Sequence, residues 1–336
     1  MLKNTIYRHT APYTIEKFSE PLDAPEEGYV SVRFLYCGIC GGDYSYYLGR
    51  RTNYPVSLGH EWVGVVTAMG SGINGLNLGS LVVTDFNYRC GTCTFCATGR
   101  SHLCVQNDIA LFSNRGFSAF ANIHHSYLHQ INYLKQVARG CLIEPLSCVI
   151  HAFKESHICP NAPILICGGG SIGMLFCFYM SRILHYEHIY VAEINEDRLK
   201  KLIQQFNVKK YHSSDLITYD TIIECTNSCD GLHIALDAAE SGNKLCIMSH
   251  LYGLETSFLY EHICQKELQA VFPLRNGDVV NLKTAIHLIQ HYWTASDDCM
   301  LQIFNDVVTA FEKKKQSPSN KQIIRLFDEN SMNGCY

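Results

Sequence analysis

The chain has 336 residues, more than one ordinary hydrophobic core needs and enough for two domains. Hydrophobic residues make up 47% of it and charged residues 17%, which is the composition of a globular protein and not of a disordered or fibrous one. The formal net charge of -4 gives no bulk attraction to nucleic acid or to an anionic membrane, so we expect neither as a partner.

No segment of the sequence is typical of a signal peptide or a transmembrane helix. Residues 1–18 lack an uninterrupted apolar core. The most apolar stretch, residues 174–184, is too short to cross a bilayer and contains Arg182. We therefore expect a cytoplasmic protein.

The predicted elements change in character along the chain. Short β-rich runs broken by glycine, at residues 29–36, 62–67 and 81–84, predict a mainly β domain in the first part. After about residue 146, apolar strands alternate with helices, which predicts a parallel sheet covered on both faces. These strands are expected at residues 164–167, 189–192, 221–224 and 244–248, with helices opening at Ser171 and spanning 196–206. The last part combines helices at 279–292 and 300–313 with a strand-like run at 322–327.

Seventeen cysteines are many for a chain without a signal peptide, and they indicate metal binding together with buried free thiols. Several lie in apolar runs, where cysteine behaves as a small hydrophobic residue. We expect core positions for Cys141, Cys148, Cys159, Cys167, Cys177 and Cys246.

Four other cysteines have the spacing C-x2-C-x2-C-x7-C, at Cys90, Cys93, Cys96 and Cys104. Four thiolates this close in sequence can surround one tetrahedral zinc ion and leave no position for water, which is typical of a structural site. An iron–sulfur cluster also accepts four cysteines, but its usual spacing is tighter before the fourth one. The sequence therefore predicts a structural zinc lobe over residues 88–106.

A second candidate metal site is open rather than closed. Cys40, His60, Glu61 and Glu144 offer one thiolate, one imidazole and carboxylates from separate parts of the chain. Such a set can hold zinc and leave one position for a substrate oxygen, which is how catalytic zinc differs from structural zinc. Each residue taken alone also has a purely structural interpretation.

The segment from Gly168 to Gly173, GGGSIG, has the pattern G-x-G-x-x-G between a predicted strand and a predicted helix. Gly168 would make the tight turn, Gly170 would let the backbone approach a pyrophosphate, and Gly173 would let helix and strand pack closely. Ser171 and Ile172 open the helix whose N–H groups would face the phosphates.

Glu193 ends the next predicted strand, twenty residues after Gly173. A carboxylate at this place accepts hydrogen bonds from the ribose hydroxyls of NAD and repels the 2′-phosphate of NADP. Arg198 lies close enough in sequence to weaken that preference. We expect NAD(H), with NADP(H) as the weaker alternative.

With these motifs in this order, the chain resembles the zinc-containing medium-chain dehydrogenases, in particular the branch of sorbitol, L-threonine and sugar-alcohol-phosphate dehydrogenases. The resemblance is carried by GICGGD (38–43), GHEWVG (59–64), the four-cysteine lobe, LIEPLSCVIHA (142–152), GGGSIG (168–173) and AEINEDRL (192–199). It implies an α/β protein with a GroES-like mainly β catalytic domain and a doubly wound Rossmann domain. The implied boundaries are 1–146 for the catalytic domain, 147–272 for the Rossmann domain, and 273–336 for a return segment that completes the first.

The resemblance also implies roles for individual residues. Cys40, His60 and Glu61 match the ligands of the catalytic zinc, with Glu144 a ligand or a close second carboxylate. Asp43 matches the acid that orients the site, and Tyr46 lies where this branch has a substrate-contacting tyrosine. Two zinc ions per chain and a homodimer or homotetramer are implied.

The sequence departs from the family at Gly42, where a serine or threonine hydroxyl usually begins the proton relay. The proton would then leave through zinc-bound water, Glu144, Tyr46 or a substrate hydroxyl. This departure is the one feature that favours an alternative of another class, a non-catalytic scaffold that binds NAD and zinc.

The implied reaction is hydride transfer between a secondary alcohol of a polyol-like substrate and NAD(H). A sugar-alcohol phosphate, an aminocyclitol and L-threonine stay open as alternatives. Tyr44, Tyr46 and Tyr47, followed by Arg50 and Arg51, could form a polar rim of the pocket, and Arg275 and Asn276 could reach it from the last part of the chain. Equally, the tyrosines could pack the β domain and the arginines could be solvated.

Overall fold

A computed structural model of the protein describes residues 2–327 except Phe86, Tyr88, 107–114, 251–255 and Pro318. The strands in chain order are β1 (Leu2–Ala11), β2 (Thr14–Leu22), β3 (Tyr29–Gly38), β4 (Val56–Ser57), β5 (Glu61–Met69), β6 (Leu81–Thr84), β7 (Phe120–His124), β8 (Leu128–Gln130), β9 (Ile164–Cys167), β10 (Ile189–Ala192), β11 (Lys209–Lys210), β12 (Thr221–Glu224), β13 (Lys244–Ile247), β14 (Gln269–Val271), β15 (Leu301–Phe304) and β16 (Lys321–Arg325). The α-helices are α1 (Gly41–Tyr47), α2 (Thr94–Ala97), α3 (Ile143–Glu155), α4 (Ser171–Cys177), α5 (Glu196–Gln205), α6 (Cys229–Ala238), α7 (Thr256–Gln265), α8 (Val279–Tyr292) and α9 (Val307–Glu312).

The mainly β part contains two sheets. The larger sheet has the order β15-β16-β3-β5-β6-β8. Strand β7 also pairs with β3, along the part of β3 that does not pair with β16. The central strands of the larger sheet are buried on both faces: Val30 and Val32 of β3 and Val63 of β5 are fully buried. A hairpin of β1 and β2, which the sequence analysis did not predict, pairs with β4 in the smaller sheet.

The second part is a six-stranded sheet in the order β11-β10-β9-β12-β13-β14, with every pairing parallel. Counted along the chain, the strand order is 3-2-1-4-5-6, so the direction of winding reverses beside β9. Ile164, Leu165 and Ile166 of β9 are fully buried because helices cover both faces of the sheet. The expected fold class, a GroES-like β domain plus a doubly wound Rossmann domain, is confirmed.

Helix α3 joins the two parts. Leu146, Val149 and Ile150 of α3 are fully buried in one hydrophobic cluster with Val63 of the β part and Ile166 of the parallel sheet. A continuous, closely packed core of this kind holds the two parts in a fixed position relative to each other. The domain boundaries at 146 and 272 stay predictions, although β15 and β16 of the return segment pair within the sheet that contains β3.

One predicted element was wrong. Residues 300–313 are not one helix, because β15 occupies Leu301–Phe304 and α9 starts only at Val307. The alternating segment Leu301–Phe304 pairs in parallel with β16. Asp306 then caps α9, its side chain accepting a hydrogen bond from the Thr309 amide. Pairing with a distant strand outweighed the local helical pattern.

One of the expected core cysteines was also placed wrongly. Cys159 is exposed, and its Sγ lies 3.1 Å from Lys244 Nζ. Cys148 is half-buried, whereas the remaining four are buried. Among the helices in the described ranges, none combines the length and apolar character needed to cross a membrane.

Candidate active site and coenzyme cleft

Cys40, His60 and Glu61 come together at the start of α1 and of β5. Their ligand atoms all lie within 4.8 Å of one another. Cys40 is the N-cap of α1, and its Sγ accepts a hydrogen bond from the Gly42 amide at 3.4 Å. A thiolate, an imidazole and a carboxylate at this mutual distance fit one zinc ion with an open position.

Asp43 contacts two of these three residues, Cys40 and His60. Its Oδ2 accepts a hydrogen bond from the Cys40 amide at 3.1 Å, and its Oδ1 lies 3.8 Å from His60 Nδ1. The side chain is almost fully buried. A carboxylate held this way fixes the orientation of the imidazole, which is a common role of carboxylates around zinc-binding histidines.

Glu144 is in the first turn of α3 and is also buried. Burial raises its pKa to about 7, and the nearby His60 opposes that rise. Cys148 Sγ donates a hydrogen bond to Glu144 Oε1 at 3.2 Å. Glu144 is not part of the mutually close three-residue group, so the geometry favours a second carboxylate beside the site over a fourth ligand.

Two lysines from the return segment reach this site, and the sequence analysis missed both. Lys321 of β16 is fully buried and forms a short ion pair with Glu61 Oε2. Burial disfavours the charged form of Lys321, but the Glu61 carboxylate outweighs it and raises the lysine's pKa. Lys314 donates to Ile39 O at 3.2 Å and to Gln322 Oε1 at 3.0 Å, and burial lowers its pKa to about 8. No pattern in the neighbouring sequence predicts that these two lysines contact residues so far away along the chain.

The four-cysteine lobe is a separate and more exposed cluster. The ligand sulfurs of Cys90, Cys93, Cys96 and Cys104 all lie within 4.8 Å of one another. Backbone amides of the lobe point at the sulfurs: the Cys93 amide donates to Cys90 Sγ at 3.3 Å, and the Cys90 amide donates to Cys104 Sγ at 3.4 Å. These bonds stabilise thiolates, and four sulfurs at this spacing fit a closed tetrahedral metal site.

Arg275 forms a hydrogen bond with this lobe, and Asn276 forms one with a buried polar residue beside it. Arg275 Nη1 donates to His102 O at 2.7 Å, within the lobe. Asn276 is fully buried, and its Nδ2 donates to Asp85 Oδ1 at 3.3 Å. Their observed contacts are therefore structural ones, and no contact of either residue supports the expected place at the pocket rim.

The three tyrosines of α1 divide into two groups. Tyr44 and Tyr47 stack at 5.7 Å between ring centres and pack against Phe311 of α9, as the structural interpretation predicted. Tyr46 faces elsewhere: the Arg51 guanidinium lies 5.6 Å from its ring centre. Only Tyr46 therefore stays a candidate for substrate contact.

The glycine-rich turn lies between β9 and α4, at the carboxyl edge of the parallel sheet. Gly168 has a φ of +101°, which L side chains rarely adopt, and a Cβ on Gly173 would lie 1.8 Å from Gly168 O. A Cβ on Gly170 would meet nothing within 4 Å, and no side chain caps the amides of α4. This open space beside free helix amides fits the pyrophosphate of a dinucleotide.

Glu193 follows β10 and points back at this turn. Its Oε2 accepts a hydrogen bond from the Gly169 amide at 2.7 Å, and its Oε1 accepts one from the Asn195 amide at 2.8 Å. Arg198 Nη1 lies 3.8 Å from Glu193 Oε1, while its Nη2 donates to Ser317 O at 3.0 Å. Both oxygens of the carboxylate therefore accept backbone amides beside the turn, with a guanidinium nearby, and its role as a ribose acceptor stays a prediction.

Two consecutive residues connect the turn with the metal site. Asn320 Nδ2 donates to Gly169 O at 2.6 Å, and Ser171 Oγ donates to Asn320 O at 3.2 Å. The next residue, Lys321, is the partner of Glu61. The glycine-rich turn and the candidate zinc ligands are therefore linked through two adjacent residues of the return segment.

Known proteins share both the sequence and the fold. Residues 26–133 match the alcohol dehydrogenase GroES-like domain. The chain is 25% identical to a sorbitol dehydrogenase of Halalkalibacterium halodurans, over 86% of this chain and 91% of that protein. It is 24% identical to D-xylulose reductase A of Aspergillus niger, over 91% of each. L-Idonate 5-dehydrogenase of Escherichia coli superposes with a TM-score of 0.82 at 18% identity, over 97% of this chain and 99% of that one.

The chain thus carries an alcohol dehydrogenase GroES-like domain and is similar over most of its length to polyol dehydrogenases. At Gly42, where the resemblance implies a hydroxyl, the site has none. The nearby Ser45 does not replace the missing hydroxyl, because its Oγ is buried and donates to Gly41 O at 3.0 Å. The dehydrogenase therefore has no serine or threonine hydroxyl on α1 that is free to begin a relay.

Proposed function

We propose that this dehydrogenase uses two zinc ions per chain and NAD(H) to interconvert a secondary alcohol of a polyol-like substrate and the ketone. The observation that carries the proposal is the pair Asn320 and Lys321. One residue binds the dinucleotide turn and the next binds the candidate zinc ligand Glu61. A hydride acceptor on the turn and an alcohol at the zinc would therefore meet in one cleft.

The bound groups supply the chemistry that side chains lack: zinc acts as a Lewis acid on the alcohol oxygen, and the nicotinamide accepts the hydride. The protein's own residues prepare the site. Asp43 holds Cys40 and His60 in place, and Lys321 balances the charge of Glu61. Because Gly42 and Ser45 offer no free hydroxyl, the alcohol proton is left to Glu144, Tyr46 or a substrate hydroxyl.

NAD is the proposed coenzyme, and the proposal is supported by a carboxylate, Glu193, beside the glycine-rich turn. Fold alone does not choose, since solved structures of this fold hold NADP in a protein of Sinorhizobium meliloti and NADH in one of Escherichia coli. The substitution Glu193→Gln keeps the shape of the side chain and removes its negative charge. We expect it to raise the KM for NAD and to narrow the preference of NAD over NADP, measured as the ratio of the two kcat/KM values. An unchanged ratio would count against the assignment.

The test of the whole proposal combines metal analysis with activity. Freshly purified enzyme should contain two zinc ions per chain and should reduce NAD with polyols, sugar-alcohol phosphates or cyclitols. Cys40→Ala should remove one zinc and abolish activity, whereas Cys96→Ser should remove the other. Less than one zinc per chain in active enzyme would overturn the proposal.

The alternative from another class is a scaffold that binds NAD and zinc without turnover. This alternative predicts that the protein binds NAD and zinc but reduces no NAD with any of the polyols, sugar-alcohol phosphates or cyclitols. Cytoplasmic location and homo-oligomeric assembly stay predictions, and size-exclusion chromatography with light scattering tests the second.

A further inference from the structure

Helix α8 presents two histidines on its exposed face. His287 and His291 are four residues apart, so they lie one turn apart on the same side of the helix. Both side chains are exposed. The centres of the two imidazole rings lie 4.5 Å apart, and the ring planes are inclined by 47°. The two rings are therefore direct neighbours, although the proposed dehydrogenase reaction uses neither of them.

The nitrogens of both rings are available to a ligand from solution. Among the described residues, no side chain or backbone group forms a hydrogen bond or an ion pair with either imidazole. Tyr292 packs against His287, with 6.1 Å between the ring centres. This ring contact orients His287 without occupying its nitrogens.

The helix holds the two histidines on a closely packed backbone. Helix α8 has 14 residues, and Ala285, Leu288 and Ile289 on its other face are buried in the core that also contains α3. Gln290, which precedes His291, donates from its Nε2 to Tyr133 O at 2.9 Å. Little backbone freedom is therefore lost when both histidines bind one ion, so the pair is preorganised.

The end of the helix attracts a cation. His287 and His291 lie in the last two turns of α8, where the backbone carbonyls form the negative end of the helix dipole. Lys283, one turn before His287 on the exposed face, opposes this attraction. Its ammonium group is carried by a long flexible side chain and extends into water, so it leaves the space between the rings open.

The separation of the rings fits a single metal ion. A metal–nitrogen bond of about 2.0–2.1 Å places the centre of an imidazole ring about 3.2 Å from the ion. Two rings at a right angle around the ion then have their centres about 4.5 Å apart, whereas a tetrahedral angle separates them by about 5.2 Å. The observed 4.5 Å corresponds to the right angle. Right angles between ligands are typical of tetragonal Cu²⁺ and Ni²⁺.

We propose that His287 and His291 form an accessory surface site for a divalent transition-metal ion of the Cu²⁺ or Ni²⁺ type. Each imidazole supplies one nitrogen, and water completes the coordination of the ion. The bound ion joins two successive turns of α8. It stabilises the folded protein, because the unfolded chain does not hold two histidines at this separation.

The experiment uses Ni²⁺ as the probe, because copper also binds thiolates and the chain has 17 cysteines. Zinc-saturated enzyme without an affinity tag, freed of unbound zinc, would be dialysed against increasing Ni²⁺. Elemental analysis would then count the nickel bound and the zinc retained. We expect one additional nickel per chain, with the zinc content unchanged.

Single variants assign the nickel to the pair. His287→Gln and His291→Gln should each weaken nickel binding by at least about tenfold, because the second nitrogen no longer binds within the same molecule. His212→Gln is the matched control, because His212 is an exposed histidine that has no other histidine four residues away. It should leave nickel binding unchanged.

A relocated pair tests whether the spacing of the histidines is the cause. The double variant Lys283→His with His291→Gln again has two histidines four residues apart on the exposed face of α8, at positions 283 and 287. Most of the lost affinity for nickel should return. Persistence of the full loss would show that the spacing does not explain the binding.

Thermal unfolding gives a second readout that does not depend on counting metal. At a nickel concentration a hundred times the dissociation constant, binding to the folded state multiplies the ratio of folded to unfolded protein by about 100. The unfolding midpoint of the wild type should therefore rise with nickel. The midpoint of the double variant His287→Gln with His291→Gln should not rise.

Three results would overturn the inference. Absence of additional nickel in the wild type is the first. The second is unchanged nickel affinity after both histidines are replaced by glutamine, which would place the ion elsewhere. The third is the loss of one zinc for each nickel gained, which would assign the nickel to the zinc sites. None of these results depends on whether the enzyme oxidises a polyol, so the site and the proposed function are tested separately.

Discussion

The two candidate zinc sites are built in opposite ways. All four sulfurs of the cysteine lobe come from residues 90–104, and their supporting amides come from the same short segment. The candidate catalytic site takes Cys40 and His60 from different elements, Glu144 from α3 and Lys321 from β16. A local site can form wherever its loop closes, whereas a dispersed site exists only after both parts of the protein have folded.

The difference also concerns charge. The lobe is partly exposed, so solvent can share the charge of its thiolates. Glu61 and Lys321 are buried and form an ion pair, so removal of one partner leaves the other charge buried without its partner. We therefore expect substitutions in the lobe to act locally, and substitutions in the dispersed site to affect activity and overall stability together.

The largest effect is expected for Cys40→Ala. Removing one ligand should remove the Lewis acid from the alcohol and lower kcat/KM at least about a thousandfold, which corresponds to several kcal/mol of transition-state stabilisation. Initial rates and zinc content measure it. The matched control is Cys37→Ala, a buried thiol of β3 outside the ligand set, which should keep its zinc. Equal losses in both variants would contradict the assigned ligand set.

Lys321→Met should destabilise the protein by about 3–5 kcal/mol, because it leaves the Glu61 carboxylate buried without its partner. Urea unfolding measures the change. Glu61→Gln in the same variant should recover most of the loss, since no uncompensated charge remains. If Glu61 is a zinc ligand, the penalty should be larger after removal of the catalytic zinc. Equal penalties with and without zinc would argue that Glu61 does not bind the metal.

Acid should destabilise the mainly β part through His9 of β1, whose ring packs against Phe311 of α9 at 4.9 Å between centres. Burial lowers its pKa from 6.5 to about 4, and its ring nitrogens have no hydrogen-bond partner in the described structure. The unfolded chain therefore binds this proton more readily. Stability should fall as the pH drops from about 6.5 to about 4, by on the order of 2–3 kcal/mol. Urea unfolding across this range should show a smaller slope in His9→Gln.

The smallest effect on catalysis is expected for Cys96→Ser in the lobe. One zinc should be lost and proteolysis within residues 88–106 should accelerate, while kcat/KM falls less than about tenfold, because a local opening leaves the cleft intact. Cys159→Ser, an exposed thiol outside the lobe, is the control and should keep both zinc ions. Complete loss of activity in Cys96→Ser would mean that the two sites are coupled.

Features that depend on neighbours along the chain could be predicted from the amino-acid sequence. The spacing of Cys90, Cys93, Cys96 and Cys104 predicted the lobe, and the placement of GGGSIG between strand and helix predicted the dinucleotide turn. Strand–helix alternation predicted the parallel sheet, because its periodicity is local. Cys40, His60 and Glu61 were predicted as an open metal site from their residue types, and the resemblance to a family added weight, since each residue taken alone has a structural interpretation.

The contacts between distant residues became visible only in the folded structure. It paired Lys321 with Glu61, placed Asn320 on the glycine-rich turn, and turned residues 301–304 from a predicted helix into a strand beside β16. It also placed the Arg50 guanidinium against Asn227 O and the Arg275 guanidinium against His102 O in the cysteine lobe. The hydrogen bonds among them join residues 151 to 260 positions apart, and their energies come from burial and charge pairing that exist only once the core has closed.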